Sequence, residues 1–190
     1  MYWKSRPELA APDLLLCQAE FPVPSERTGA LGVPEHGWTM FGGLAHPQSR
    51  GRVRLNSSDP HAAPIVDANM LSHPADVEAA LACVQLCREL GAAAAFKPFI
   101  KREAIPGEGN PIDYRFVRDA AVTYWHQSGT ARMGRDDKAV VDSTLKVRGV
   151  EGLRVADGSI FPTVPTGNIQ APCAIVGERA AQFIRDMYHI

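Results

Sequence analysis

The chain has 190 residues, of which 45% are hydrophobic and 22% are charged, a composition typical of a globular protein and not of a disordered one. Its 20 basic and 21 acidic residues give a formal net charge of −1, so it has no basic excess with which to bind nucleic acid. No apolar run approaches the ~18 residues of a membrane span, and the N-terminus lacks the apolar stretch of a signal peptide, so we predict a cytoplasmic protein with no membrane span.

The first third of the chain is rich in proline and glycine, which predicts short strands and turns and not long helices. Residues 14–17 form a short apolar run that is typical of a buried strand. Residues 51–56 alternate polar and apolar side chains, and this pattern predicts a half-buried strand. Turn-forming residues at 56–60 follow and predict a turn.

A helix is predicted in the middle of the chain. Ser72 or His73 caps its start, Pro74 lies in its first turn and Gly91 ends it. Three apolar residues recur at helical spacing and predict one stripe that faces a core: Val77, Leu81 and Val84. A second helix is predicted at about 112–122.

The four cysteines are too few for a disulfide scaffold in a chain of this length, so a reducing compartment is expected. Cys83 and Cys87 are four residues apart on the predicted helix and share a face. They are either half of a metal site or two small buried residues. The second interpretation is favoured because no matching Cys or His pair completes four ligands, and no metal is predicted.

The last third of the chain differs in character. Residues 140–142 and 153–156 predict strands, whereas the prolines at 161–168 exclude regular structure there. A helix is predicted to begin at Pro172. Its apolar residues form one stripe: Val176, Ala180, Phe183 and Met187.

Two segments of this third could carry chemistry. His126 lies between aromatic residues and a small-residue turn, and a histidine can accept a proton near neutral pH. Taken alone, this pattern favours a packed, hydrogen-bonded histidine. Residues 167–172 lead into a helix N-terminus, whose N–H groups suit an anion or a polarised carbonyl oxygen. Taken alone, this pattern favours an ordinary N-cap region.

The wider sequence changes this balance. Five stretches follow one another in the last third: HQSGTARMG (126–134), AVVD (139–142), GLRVADGSIFP (152–162), GNIQAP (167–172) and GERAA (177–181). Three stretches lie upstream: SRPEL (5–9), HPQSRG (46–51) and LNSSDP (55–60). In order and spacing they resemble the glucose–methanol–choline (GMC) family of flavoprotein alcohol oxidoreductases, and the resemblance covers essentially the whole chain.

The resemblance implies an α+β fold. Residues 1–122 are then part of a substrate-binding domain, a mostly antiparallel sheet with helices on one face. Residues 123–190 are the active-site segment and a C-terminal strand–loop–helix segment of the FAD-binding domain. Family members are longer and open with a dinucleotide-binding unit whose glycine fingerprint this chain lacks. The chain is therefore expected to be a C-terminal portion that is inactive alone, with the missing FAD-binding region supplied in cis or by a separate chain.

The resemblance also implies a reaction and a site. The family oxidises CH–OH donors to an aldehyde or ketone, with hydride transfer to flavin N5 and His126 as the base. Asn168 is the second catalytic residue, where other members carry histidine or asparagine, and its amide N–H donates to the substrate oxygen. The residues implied to contact FAD are Trp125, Asp157, Gly158, Asn168, Ile169, Gln170 and Ala171. One departure from the family is Gln127, which replaces a proline common after the histidine.

Several alternatives stay open. The substrate is a small alcohol, with choline-like amines, aromatic alcohols, long-chain alcohols and polyols all compatible, and the acceptor that reoxidises the flavin is not specified. A binding module without activity and one chain of a two-chain enzyme are alternative functions. An exposed apolar face is expected from the 176–187 stripe with Leu153 and Val155, so the isolated chain should either self-associate through that face or be loosely ordered beyond about residue 140.

Overall fold

A computed structural model describes residues 1–189 of the chain. These residues form two compact units. The first unit contains Met1–Gly51 and Val66–Thr123, and the second unit contains Arg52–Ile65 and residues 124–189. Helices combine with antiparallel strands, which confirms the predicted α+β class.

The first unit is built on a three-stranded antiparallel sheet. Its strands are β1 (Tyr2–Trp3), β2 (Leu14–Ala19) and β3 (Thr39–Leu44), in the order β1-β2-β3. The buried strand predicted at 14–17 is confirmed as the start of β2, where Leu14 and Leu16 are buried. A short helix, α1 (Glu26–Gly29), connects β2 to β3 and begins with a capping box between Ser25 and Thr28.

One long helix packs against this sheet. The helix α2 (Pro74–Gly91) begins at the predicted residue and ends at the predicted glycine. Its N-cap is His73, whose Nδ1 accepts a hydrogen bond from the backbone N–H of Ala75, at 3.2 Å. The core between α2 and the sheet centres on Leu14, Leu16 and Cys83. The second predicted helix is α3 (Tyr114–Ala120), which Asp113 caps.

A separate two-stranded sheet joins β4 (Arg52–Arg54) to β5 (Ile65–Asp67). The strand predicted at 51–56 is therefore confirmed, and residues 56–60 make the predicted turn. The expected half-burial is wrong, because all three residues of β4 are exposed. A sheet of only two strands offers too few neighbours to bury alternate side chains.

The prediction of strands at 140–142 and 153–156 is wrong. The structure describes all of these residues, and none of them lies in a strand. They make isolated bridges: Met133 with Val141, Val141 with Val147, and Lys146 with Arg154. The intervening chain turns at three residues with positive φ: Leu145, Gly149 and Gly152. A ladder cannot extend through such close turns, so the pairing never exceeds one bridge at a time.

The last helix, α4 (Gln170–Tyr188), begins two residues before the predicted start at Pro172. Pro172 lies in its first turn, where a missing N–H leaves no helical hydrogen bond unmade. The apolar stripe of α4 packs against the second unit's own core, which is made of Val141, Leu145, Ile160 and Ala180, together with half-buried neighbours that include Val155, Val176 and Phe183.

The predicted exposure of this apolar face is therefore wrong, whereas self-association itself stays a prediction. Most of that stripe covers elements of the same unit, although Met187 and Leu153 stay 40% and 49% exposed. The sequence could not reveal this cover, because the residues that supply it come from loops and not from periodic elements.

The cysteine pair lies in the core of the first unit. Cys83 is buried and Cys87 is half-buried, and the hydrogen bond between them and the burial raise the pKa of the Cys83 thiol. No group of three or more His, Cys, Asp or Glu that could hold a metal ion occurs in residues 1–189. Across the same residues, no helix is long and apolar enough to cross a membrane.

Candidate active site

The predicted site residues all lie in the second unit, and backbone hydrogen bonds fix the segment that follows His126. The N–H groups of Gly129, Ala131 and Met133 donate to carbonyl oxygens of a short 3₁₀ helix, Gly158–Ile160, at 3.3, 2.9 and 2.7 Å. Every second residue from 129 to 133 therefore pairs with one of the three consecutive residues of the 3₁₀ helix. This pairing fixes the position of the chain immediately after His126.

Backbone conformation is unusual on both sides of His126. Gly129 has a φ of 88°, and a Cβ there would lie 3.1 Å from the carbonyl oxygen of Phe161, so glycine suits this turn. Trp125 has a φ of 59°, which is rare for a bulky residue. Left-handed backbone at such residues is stabilised by its surroundings and is often found at functional sites.

The His126 imidazole packs edge-on against the Tyr124 ring, with centroids 5.1 Å apart and an interplanar angle of 86°. Its Nε2 is buried and has no hydrogen-bond partner within the described residues. The Oγ of Ser128 is also buried and, across the same 1–189 range, has none either. A buried polar atom without a partner destabilises a fold by about 1–3 kcal/mol, so two of them so close together require an explanation.

Gly158 is the point at which the candidate segments meet. Its carbonyl oxygen accepts from Gly129, three residues after His126. A Cβ on Gly158 would lie 3.2 Å from the Cys173 Sγ and 3.4 Å from the Ile169 Cδ1, so the start of α4 packs closely against it. The structure thus brings together the segment of His126, the 3₁₀ helix and the residues next to Asn168.

Asp157 caps the 3₁₀ helix. Its Oδ1 accepts from the backbone N–H of Ser159 at 2.8 Å. Hydrogen bonds from the Ser159 hydroxyl and backbone lower the pKa of Asp157 below its ordinary value. The carboxylate therefore stays charged near neutral pH and holds the turn at Gly158.

The other predicted residues lie on an open surface. Trp125 is 71% exposed, and its ring is 6.4 Å from that of Tyr124. Asp157 and three residues at the start of α4 are also exposed: Asn168, Gln170 and Ala171. A cavity of about 400 Å³ elsewhere in this unit, between Lys146 and Met187, includes none of the predicted site residues.

Sequence reasoning missed Ser128 as a site residue. Burial alternates along this segment, with His126 and Ser128 half-buried and Gln127 exposed between them. The two polar residues that follow the histidine, Gln127 and Ser128, gave no periodic signal. Only the three-dimensional structure reveals that the Ser128 hydroxyl is buried and has no hydrogen-bond partner within residues 1–189.

A buried histidine nitrogen without a described partner requires an explanation, and a catalytic role is one such explanation. The GMC oxidoreductase family model matches residues 47–177, which is more than half of the chain. The chain belongs to the GMC oxidoreductase family.

Relatives and solved structures agree with this assignment. The chain is 40% identical over 167 residues to an oxygen-dependent choline dehydrogenase of Chromohalobacter salexigens, with 86% of the chain and 30% of that protein covered. Its fold is similar to that of pyridoxine 4-oxidase from Mesorbium loti, with a TM-score of 0.84 and 29% identity over 100% of the chain and 37% of that structure.

A third similar protein is the formate oxidase of Aspergillus oryzae, whose structure was solved to study the effect of a mutation on FAD modification. The TM-score is 0.81 and the identity 29%, with 95% of the chain and 33% of that structure covered. The chain thus spans about a third of the length of the relatives it matches.

Proposed function

We propose that this chain is the C-terminal portion of an FAD-dependent enzyme that oxidises an alcohol to an aldehyde or ketone. The observation that carries the proposal is the buried Nε2 of His126, which has no hydrogen-bond partner among residues 1–189. Family membership and the names of its relatives, a choline dehydrogenase and two oxidases, support the same class of reaction.

His126 is the base in this proposal. An alcohol gives up a hydride far more readily when its oxygen carries negative charge, so a group must take the hydroxyl proton. A positioned general base contributes typically ~10²–10⁴-fold to such a step. The Nε2 of His126 suits this role because no other described side chain competes for it.

Asn168 is the second polar group of the proposed site. It is exposed and directly precedes Ile169, the N-cap of α4. Its side-chain amide donates a hydrogen bond to the alcohol oxygen and stabilises the charge that develops there. An amide cannot take the proton, so the proton goes to His126 alone.

FAD is the proposed cofactor of the complete enzyme, and the residues present fit it. A buried, unsatisfied nitrogen at His126 and the exposed start of α4 both offer polar atoms to a group outside the described chain. The residues proposed to hold the flavin are Trp125, Asp157, Gly158, Asn168, Ile169, Gln170 and Ala171. When bound, a flavin supplies the acceptor for the substrate hydride.

The remainder of the flavin site is proposed to come from an N-terminal region, either in cis or on a separate chain. Residues 1–122 would then contribute to substrate binding, and residues 123–190 to the flavin side of the site. The chain alone would be inactive. Because four cysteines are too few for a disulfide scaffold in a chain of this length, we also propose that the enzyme is cytoplasmic.

The test uses the flavin-loaded enzyme that contains this chain, called the holoenzyme below. It is mixed without oxygen with choline, pyridoxine, benzyl alcohol, 1-octanol and sorbitol in turn. We expect at least one alcohol to bleach the visible flavin absorbance and to yield the matching carbonyl compound. If dithionite bleaches the flavin and no alcohol does, the proposed function is wrong.

A further inference from the structure

We propose that Ser128 is a further catalytic residue, whose hydroxyl donates a hydrogen bond to the same alcohol oxygen that gives its proton to His126. This inference rests on the proposed function and extends it by one residue. It begins from the two buried polar side-chain atoms that have no hydrogen-bond partner in the described part of the chain, His126 Nε2 and Ser128 Oγ.

The two atoms belong to side chains that are both turned away from solvent. His126 and Ser128 are half-buried, whereas Gln127 between them is exposed, as expected where successive side chains alternate between two sides. The three backbone hydrogen bonds from Gly129, Ala131 and Met133 hold the chain just beyond Ser128. The Ser128 hydroxyl is therefore carried on a fixed stretch of backbone next to the proposed base.

The two atoms do not hydrogen-bond to each other, although each is buried. A direct serine–histidine hydrogen bond would have activated the serine as a nucleophile, and this arrangement is not found between the two described side chains. Each atom therefore has an unfilled hydrogen-bonding capacity, and the chemistry of the pair defines the group that would fill it.

An alcohol oxygen matches this pair. It carries one hydrogen to donate and two lone pairs that accept. The hydrogen goes to the Nε2 of His126, one lone pair accepts from the Ser128 hydroxyl and the other accepts from the Asn168 amide. As the proton moves to Nε2, negative charge develops on the oxygen, and both donors stabilise it more strongly than they stabilise the neutral alcohol.

If the Ser128 hydroxyl serves to bind the substrate, the stability of the fold should not depend on it. Serine to alanine replaces the hydroxyl by a hydrogen, and this change removes the cost of burying an unpaired polar group. Ser128→Ala should therefore leave the thermal unfolding midpoint of the 190-residue chain unchanged or raise it. If Ser128 instead stabilised the fold, Ser128→Ala would lower this unfolding midpoint.

The experiment compares five forms of the holoenzyme: wild type, Ser128→Ala, Ser128→Thr, Ser143→Ala and His126→Ala. Ser143 is an exposed serine of the same unit and is the matched control. The probe is whichever alcohol of the panel above reduces the flavin fastest. Single-turnover flavin reduction over a range of alcohol concentrations separates the limiting rate from the apparent dissociation constant.

We expect Ser128→Ala to slow the limiting rate by about 10- to 100-fold, with a smaller change in the dissociation constant, because the hydrogen bond is strongest when charge develops. Ser128→Thr keeps the hydroxyl and should recover most of the rate. Ser143→Ala should match the wild type.

Three outcomes would overturn parts of this picture in distinguishable ways. If Ser128→Ala reduces the flavin at the wild-type rate while His126→Ala is slow, the inference is wrong and the proposed function stands. If both variants react at the wild-type rate, the inference is wrong and the proposed role of His126 fails as well, whereas the proposed function is wrong only if no alcohol reduces the flavin of the wild type. If Ser128→Ala lowers the unfolding midpoint and Ser128→Thr recovers no rate, Ser128 is structural and the inference is wrong.

Discussion

At the scale of single residues, the two units treat buried polar groups differently. In the first unit, the buried Ser25 and Thr28 hydrogen-bond to each other, and the buried Asp76 accepts three hydrogen bonds. In the second unit, His126 and Ser128 keep buried polar atoms without partners in the described chain. Satisfied groups of the first kind stabilise the fold, whereas unsatisfied groups of the second kind are available to a ligand.

Asp76 is expected to be the most important of the satisfied groups for stability. Its carboxylate accepts from the backbone N–H groups of Gln48 and Ser49, at 2.8 and 2.7 Å, and from the Ser49 hydroxyl. Asp76→Ala would leave these donors without their acceptor beside the start of α2. We expect a loss of about 2–4 kcal/mol in the free energy of unfolding, measured by denaturant titration of the chain.

Glu78→Ala is the matched control for this measurement, because Glu78 is an exposed acidic residue two positions further along α2. Its effect should stay within about 0.5 kcal/mol of the wild type. Equal losses for the two variants would contradict the importance assigned to the Asp76 hydrogen bonds.

At the scale of elements, local signals decided which predictions succeeded. Helix α2 has a cap and a proline at its start, and both are found in the structure. The predicted stripe of Val77, Leu81 and Val84 is not the face that packs on the sheet, since that core takes Cys83 with Ala79, Leu86, Cys87 and Leu90 from the helix. The strands predicted at 140–142 and 153–156 rested on only two and three apolar residues, respectively. Such short runs bury side chains equally well in loops, and here they supply Val141 and Val155 to a core without forming a ladder.

The loop around Met133 contains an ion pair. Arg132 donates to both carboxylate oxygens of Asp136, at 3.0 and 2.5 Å. Hydrogen bonds from Arg132, and a further one from the backbone of Lys138, lower the pKa of Asp136 from 3.8 to about 2. A carboxyl group whose pKa is lower in the folded than in the unfolded state stabilises the fold at any pH above its unfolded-state pKa. This contribution disappears as the pH falls through its folded-state pKa.

Arg132→Gln should therefore lower the thermal unfolding midpoint of the chain slightly at neutral pH. The difference from the wild type should shrink as the pH falls from ~4 to ~2, because Asp136 becomes protonated in both proteins. The pair is exposed to solvent, so added salt should reduce the difference as well. Arg135→Gln, at a neighbouring exposed arginine, is the control, and a difference that grows on acidification would contradict this explanation.

At the scale of the whole molecule, the candidate site joins residues that are far apart in sequence. His126, Gly158 and Ile169 belong to segments about 30 and 10 residues apart, and their proximity depends on hydrogen bonds and contacts at Gly158. The resemblance to a family pointed to each segment, but residue spacing alone could not predict that they meet. The roles proposed for these residues, and for the domains that carry them, remain predictions.

Two other features of the whole chain were beyond sequence reasoning. Arg52–Ile65 belongs to the second unit, although it lies about 60 residues before the rest of that unit. The burial of Ser128 Oγ without a described partner also had no counterpart in the sequence pattern. Both depend on contacts between distant segments, which periodicity and capping signals do not encode.

The central claim is that His126 takes the proton of the alcohol, and one measurement tests it most directly. Single-turnover flavin reduction by the best alcohol is compared in holoenzymes carrying wild-type sequence, His126→Ala or His61→Ala, an exposed histidine of the same unit. We predict that His126→Ala retains its flavin, reduces it about 10²-fold or more slowly and regains part of the rate at high pH, while His61→Ala matches the wild type. Reduction by the flavin-loaded His126→Ala enzyme at the wild-type rate would contradict the claim.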